Sequence, residues 1–585
     1  MMQIPIERLS KMLDDYTDNT YSKDFVFRPQ QKEAILDIIS AFFDANCNLY
    51  LLDAPTGSGK SIIAMTVAGF LSHLKMKGYI LASDLMLQTQ YEKDFNKFRL
   101  NWGSIKGVDN YDCIVNSEKF SLGECRLKNT SYEEAEALPC FLDCGYLFNR
   151  KKAIKSPVTL LNYSYWLIQR NYVEGKMQDK GKGVPFPKRD FTLCDEAHKV
   201  AEIVQNHFSP RIDDKTFDKL DKLRAQLDKF NIYNLKTSTA KIRTVIRNFY
   251  KEDSQDKLYV YLKEFELQLL DFVKAGTKLK EYVSHKYPKD VSVPKDWRYY
   301  LGLADWVKDI HCKFEDYNHI ISQTGIDKII KNDQGEQISF NCLDESYMMD
   351  RHFHTQAGFK LLMTATMGDP SEFMKTIGAT NARYYRVESH FDYEKSPIYF
   401  YPDKRMSMAQ KETTLPWIIK KINSILDANT EENGIIHSGS YENTGRIFQA
   451  LSPKNQKRVI VYQGSHEKEA ALERFLKEKN LVLMGPSILE GLDLAAEKSR
   501  LQIFVKVPFP SLGDKFVSAK MNYQPGWYDW KTSQQILQGV GRSVRNENDW
   551  AVTYFLDGCL SDLFRRSRKN FPADFQRRIK VIKDE

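Results

Sequence analysis

The sequence predicts an α/β fold built on two parallel sheets, and three observations carry that prediction. A glycine-rich loop, Ala54-Pro55-Thr56-Gly57-Ser58-Gly59-Lys60-Ser61, follows a buried apolar run and opens a helix. An acidic quartet, Asp195-Glu196-Ala197-His198, closes a second apolar run, Phe191–Cys194. Strand–helix alternation restarts near Lys360, with short apolar runs at Leu361–Met363, Gly434–His437, Arg458–Tyr462, Leu481–Met484, Leu501–Val507 and Val552–Leu556 that suggest a second parallel sheet.

The loop has a specific physical purpose. Small residues let successive backbone N–H groups turn inward toward phosphate oxygens, and the helix N-terminus adds a favourable dipole. Lys60 is placed to reach the β- and γ-phosphates, and the Ser61 hydroxyl to hold Mg²⁺. Carboxylates at the C-terminal end of a parallel strand stand where ligands bind. Asp195 is therefore expected to position Mg²⁺, and Glu196 to orient and deprotonate the attacking water. Far along the chain, Gln538-Gly539-Val540-Gly541-Arg542-Ser543-Val544-Arg545 has the form QxxGRxxR on a predicted helix. Arg542 and Arg545, three apart, share a face and suit arginine fingers that stabilise γ-phosphate charge when two sheets close. Thr364-Ala365-Thr366, at a domain junction, could couple hydrolysis to movement.

The organisation follows from composition. The 585 residues are 42% apolar, enough for several cores, and suggest three or four domains. Residues 1–205 and 346–367 form the first sheet domain, and 368–585 the second. Residues 107–150 hold four of nine cysteines and no clear strand, and read as an insertion. Residues 206–345 carry apolar positions at helical spacing (Phe217, Leu220, Leu223, Leu227; Leu258, Leu262, Phe265, Leu269) and read as a helical insertion. The net charge of +8 permits a nucleic-acid partner without requiring one. The N-terminus has no secretory pattern and no apolar run reaches membrane length, so no membrane partner is expected.

Cys113, Cys125, Cys140 and Cys144 are spaced C-x11-C-x14-C-x3-C. Four thiolates suit a [4Fe–4S] cubane, and zinc accepts four thiolates too; the spacing also fits unconnected reduced cysteines.

In order, the motifs are FRPQQ near Phe27, APTGSGKS, DEAH, TAT, Gly439-Ser440-Tyr441, EGLD at Glu490–Asp493 and QGVGRSVR. Together they resemble a superfamily-two helicase. Three stretches resemble the iron–sulfur DNA helicases of the XPD/DinG family: Gly107 to Cys113, Cys144-Gly145-Tyr146 with Ser156 to Tyr163, and Lys506-Val507-Pro508-Phe509-Pro510. The resemblance implies two RecA-like domains, the first carrying an Fe–S insertion and an Arch-like helical insertion. It implies an ATP-driven motor on single-stranded DNA and forked duplex, moving five-prime to three-prime, and favours a cubane over zinc. It places Arg28 and Gln31 beside the adenine and Asp493 on the nucleotide side. His198, Gln538, Thr364, Thr366, Glu490 and Gly491 become coupling residues. Ser83, Gln88, Asn162, Tyr163, Ser440 and Tyr441 line the DNA path. A monomer is expected, located in the cytoplasm or nucleoid, in a eukaryotic nucleus, or in the host cytoplasm of a virus. The pattern departs after Asp557, where Gly558-Cys559 stand in place of a nearby arginine. The rivals are an RNA-dependent ATPase of the DEAH type and an ATP-switched scaffold. The four-cysteine insertion argues against the first, and the intact Glu196, Arg542 and Arg545 against the second.

Overall fold

The computed structural model describes residues 5–583 except 23–24, 99, 128–129, 174–184, 214, 289–290, 334, 336, 390, 463, 487–495, 542 and 545–548. The first sheet begins with β1 (Leu49–Asp53), β2 (Gly78–Ala82), β3 (Trp102–Ser104), β4 (Val158–Asn162) and β5 (Phe191–Cys194). A small antiparallel sheet follows, made of β6 (Arg211–Asp213), β7 (Ile329–Asp333) and β8 (Gln337–Cys342). The chain then returns to the first sheet as β9 (Phe359–Thr364) and β10 (Arg383–Arg386). Its order is β10-β1-β9-β5-β2-β4-β3, parallel throughout. Every residue of β1, β2, β5 and β9 is buried. Helices cover both faces of such a sheet, which is why these strands read as unbroken apolar runs.

The second sheet contains β11 (Ile398–Phe400), β12 (Gly434–His437), β13 (Val459–Val461), β14 (Val482–Gly485), β15 (Leu501–Phe504), β16 (Val552–Phe555) and β17 (Ile579–Val581). Its order is β13-β14-β12-β15-β16-β11-β17, again parallel.

The structure corrects four expectations. Leu361–Met363, taken from its apolar run as part of the second sheet, lies at the centre of the first, between β1 and β5. The first domain does not end at 367, because β10 pairs with β1 from Tyr50↔Arg383 to Asp53↔Arg386. The insertion at 206–345 is not wholly helical, since β6, β7 and β8 form its foot. The helix expected across QxxGRxxR spans Trp527–Val540 and ends at Gly541, a residue with weak helix propensity.

Four helices make the body of the long insertion: Lys215–Lys229, Thr239–Lys251, Gln255–Lys286 and Lys295–Thr324. The last two pack closely where Gly276 meets Ala304: a Cβ on Gly276 would stand 2.9 Å from the Ala304 Cβ. The cysteine insertion packs into the same continuous apolar core as the first sheet domain and the long insertion. Phe120 stacks on Tyr146 at 4.3 Å, and Leu127, Ala135 and Phe141 belong to the same core.

Candidate nucleotide and nucleic-acid sites

The phosphate loop leaves β1 at Asp53, and Ala54 N–H still donates to Thr364 O of β9 at 2.9 Å. Gly57 and Gly59 both take φ of +82°, a region that other residues enter only with strain. Their turns bring the backbone round to the helix Lys60–His73, with Lys60 Nζ resting 3.3 Å from Ala54 O. Arg28 and Gln31 hold the loop from outside. Arg28 donates to Gly57 O, and Gln31 Nε2 donates to Ser58 O at 2.7 Å. A Cβ on Gly59 would stand 2.2 Å from Gln31 Nε2, so the clamp needs glycine there. A hollow of about 810 Å³ lined by Tyr21, Phe25, Phe27, Arg28 and Gln30 opens beside the clamp. Its aromatic rings were not singled out from sequence, where they read as ordinary apolar residues.

Asp195 lies at the end of β5, 2% exposed. Its Oδ2 accepts from Tyr91 O–H and its Oδ1 from Glu196 N–H, both at 2.8 Å. Burial, then the neighbouring Glu196 charge, pushes its carboxyl up to about 6, against the pull of Lys60. Glu196 itself has φ of +49°, a strained backbone for a non-glycine residue. Its Oε2 stands 3.3 Å from His198 Nδ1.

His198 joins three segments. Its Nδ1 lies 2.9 Å from Thr364 Oγ1, which accepts from Thr366 N–H at 3.1 Å. Its Nε2 meets the Gln538 amide, on the helix Trp527–Val540 of the second domain. Burial, then Lys199, Lys531 and Lys60, holds the imidazole well below its usual range, so the ring is neutral. With the Gln538 amide nitrogen donating to Nε2, the ring proton sits on Nδ1, facing Thr364 and Glu196.

The same helix seals the cleft between domains. Trp530 Nε1 donates to Met367 O at 2.8 Å, and Lys531 pairs with Glu202 at 2.8 Å. A Cβ on Gly541 would stand 3.4 Å from Thr56 Oγ1 of the phosphate loop. Sequence reasoning missed Tyr91, which reads as a core aromatic, and Arg386. Arg386 pairs with the buried Asp53 just before the loop, and with Asp574 of the second domain at 3.0 Å. Arg542, Arg545, Glu490, Gly491 and Asp493 lie outside the described residues.

The residues assigned to a DNA path separate into two groups. Ser83, Asn162, Ser440 and Tyr441 reach the surface or its margin, with Tyr441 48% exposed. Asn162 and Ser440 also cap helices, accepting from Tyr165 N–H at 2.8 Å and Asn443 N–H at 3.0 Å. Gln88 and Tyr163 are buried and committed internally. Gln88 Nε2 donates to Ser104 Oγ and Ile105 O, and Tyr163 O–H donates to Asp195 O at 2.9 Å. These two support the strand ends from beneath and cannot touch a bound strand.

The four cysteines converge. Burial, then the neighbouring Cys113, Cys144 and Cys140 thiols, pushes Cys125 up to about 11. Gly123 lets the backbone pass close to Cys113: a Cβ there would stand 3.4 Å from Cys113 Sγ. Among the described residues, no three of these four sulfurs lie within 4.8 Å of one another. Tetrahedral zinc draws its sulfurs to roughly 3.8 Å, whereas a cubane carries its thiolates on the corners of a larger body. Four thiols are a donor set that either group accepts.

Comparison with known proteins gives a consistent result. Residues 423–578 match a family model described as "Helicase C-terminal domain", and residues 24–222 one described as "Type III restriction enzyme, res subunit". "ATP-dependent DNA helicase YoaA" of Haemophilus influenzae is 20% identical over 463 residues, covering 72% of this chain and 67% of the relative. "ATP-dependent DNA helicase DinG" of Photobacterium profundum is 24% identical over 254 residues, 40% of this chain and 36% of the relative. The solved Xpd4 of S. tokodaii shares the fold, with a TM-score of 0.59 at 15% identity over 95% of this chain and 100% of that one.

Proposed function

The chain belongs to the XPD/DinG family of superfamily-two helicases, and on that premise we propose how this ATP-dependent DNA helicase works. It moves five-prime to three-prime on single-stranded DNA at a fork. Ser61 and Asp195 would hold Mg²⁺, Lys60 would hold the β- and γ-phosphates, and Glu196 would align the attacking water. Arg542 and Arg545 close on the γ-phosphate from the second domain. The observation that carries this reading is His198, a neutral ring touching Glu196, the Thr364 turn and Gln538 of the other domain. A change at the γ-phosphate thereby reaches the domain interface through side chains in contact. Contacts from Ser83, Asn162, Ser440 and Tyr441 to the DNA backbone make binding weakly dependent on sequence, and phosphate neutralisation by basic side chains makes it salt-sensitive.

Cys113, Cys125, Cys140 and Cys144 hold a structural [4Fe–4S] cluster. The insertion it staples faces the long helical arm. Arg298 of the arm pairs with Glu124 at 3.2 Å, and Val293 N–H donates to the same carboxylate. In this reading the two insertions would form a gate around the strand, and the Glu124 contacts support it. Cys144→Ser is expected to lose the cluster iron and strand separation together while DNA-independent ATP hydrolysis persists, as iron content, unwinding and phosphate release on one preparation check.

Protons compete with Mg²⁺ at Asp195 because its carboxyl titrates above the usual carboxylate range, at about 6. Affinity for Mg-nucleotide is expected to be flat above that pH and to fall about tenfold per unit below it. Titration with a fluorescent Mg-nucleotide across this range measures it, with metal-free nucleotide as the control.

The deciding experiment is unwinding of duplexes carrying either a five-prime or a three-prime single-stranded tail, using protein purified without oxygen. ATP-dependent opening of the five-prime-tailed duplex alone supports the reading. Opening of the three-prime-tailed duplex alone reverses the polarity. ATP hydrolysis stimulated by RNA and not by single-stranded DNA sinks the DNA reading altogether.

A further inference from the structure

We propose that His311, Cys312 and Glu315 form a binding site for one zinc-class divalent cation, on the arm helix Lys295–Thr324. On an α-helix, residue 315 has its neighbours three and four positions back on the same face. His311, Cys312 and Glu315 therefore make one triangular facet. An imidazole nitrogen, the Cys312 sulfur and a Glu315 carboxylate oxygen all lie within 4.8 Å of one another. A tetrahedral zinc ion draws such donors to roughly 3.4–3.8 Å, so side-chain movements of about 1 Å complete the site.

The surroundings suit metal binding. The His311 side chain is 8% exposed and Glu315 65% exposed, so packing fixes the first donor while the third closes from solvent. That leaves a fourth position for water. His311 also stands between two carboxylates: Glu315 Oε2 is 4.0 Å from Nδ1, and Glu266 Oε1 is 3.9 Å from Nε2. Metal-ligating histidines direct their second nitrogen at such a carboxylate, which sets the tautomer and raises ligand basicity. Glu266 is itself oriented by Asn318 Nδ2, at 3.0 Å on the other carboxylate oxygen. A thiolate, an imidazole and one carboxylate select zinc-class ions over Mg²⁺ or Ca²⁺, which prefer oxygen throughout. The site is separate from the four insertion cysteines and from the nucleotide. It adjoins the point where Asp316 ties the arm to the first domain through Arg351 at 2.7 Å and His352 at 2.8 Å. A cation there would brace the helix beside that tie.

The test uses full-length protein with its iron retained, washed with a chelator and titrated with Zn²⁺ against a chromophoric competitor. Wild type is expected to take up one zinc more per chain than Cys312→Ser or Glu315→Gln, with iron content and ATP hydrolysis unchanged in both variants. Glu315 is exposed, so its variant keeps the fold. Glu266→Gln is expected to weaken zinc binding about 10–100-fold without abolishing it. Replacing zinc by Co²⁺ adds a thiolate-to-cobalt absorption band in wild type and in Cys559→Ser, and none in Cys312→Ser. Equal zinc uptake by wild type and both variants overturns the proposal, as does a wild type that takes up none.

Discussion

Glu196→Gln is expected to slow DNA-stimulated ATP hydrolysis about 10²–10⁴-fold, the usual contribution of a positioned general base. Nucleotide affinity should change little, because in the proposed site Lys60, Ser61 and the loop backbone hold the phosphates. The amide keeps the size of the carboxylate, and the strained backbone at φ of +49° stays occupied by a residue of the same shape. The variant therefore removes the proton acceptor and leaves the pocket. Single-turnover phosphate release, alongside equilibrium binding of a fluorescent nucleotide, separates the two effects. A rate within a few-fold of wild type would take Glu196 out of the chemistry.

Gln538→Ala should break a different link. It removes the second-domain partner of His198 while leaving every phosphate contact in place. Hydrolysis without DNA should persist, while its stimulation by DNA, and strand separation, should fall about 5–150-fold, the range of ordinary coupling energies. His198→Ala should give a similar loss, and the double variant should be no worse than the worse single. That non-additivity is the signature of one shared contact. Additive losses would show that the two side chains act separately. His198→Gln offers a control, since an amide can still meet Gln538 but cannot span both Thr364 and the second domain as the ring does.

Much of this was legible in the sequence because the motifs are local. Gly57 and Gly59 mark a turn that only glycine makes easily, and Asp195 follows a strand of four buried residues. The pairing of distant strands was less legible. Leu361–Met363 announces a strand but not its sheet, since apolar runs carry no record of their neighbours. Arg383–Arg386 hid altogether, because an edge strand of tyrosines and arginines, none of them fully buried, has no apolar signature. Gln88 and Tyr163 were misplaced for a related reason. A polar residue near a motif reads equally as a ligand contact or an internal brace, and only burial separates them.

The neighbours of β1 have a consequence for how the protein comes into being. β1 pairs only with β9 and β10, so both edges of the strand that launches the phosphate loop are completed by residues 359–386. Even the first amide of the loop, Ala54 N–H, waits for Thr364. During synthesis the ribosome must deliver both insertions before this strand finds any partner. A nascent chain stopped before Phe359 carries the phosphate loop, its Arg28 and Gln31 clamp and the Asp195–His198 quartet, but neither neighbour of the strand that launches the loop. The capacity to bind nucleotide arrives late, as a property of ends brought together across a large closed loop of chain.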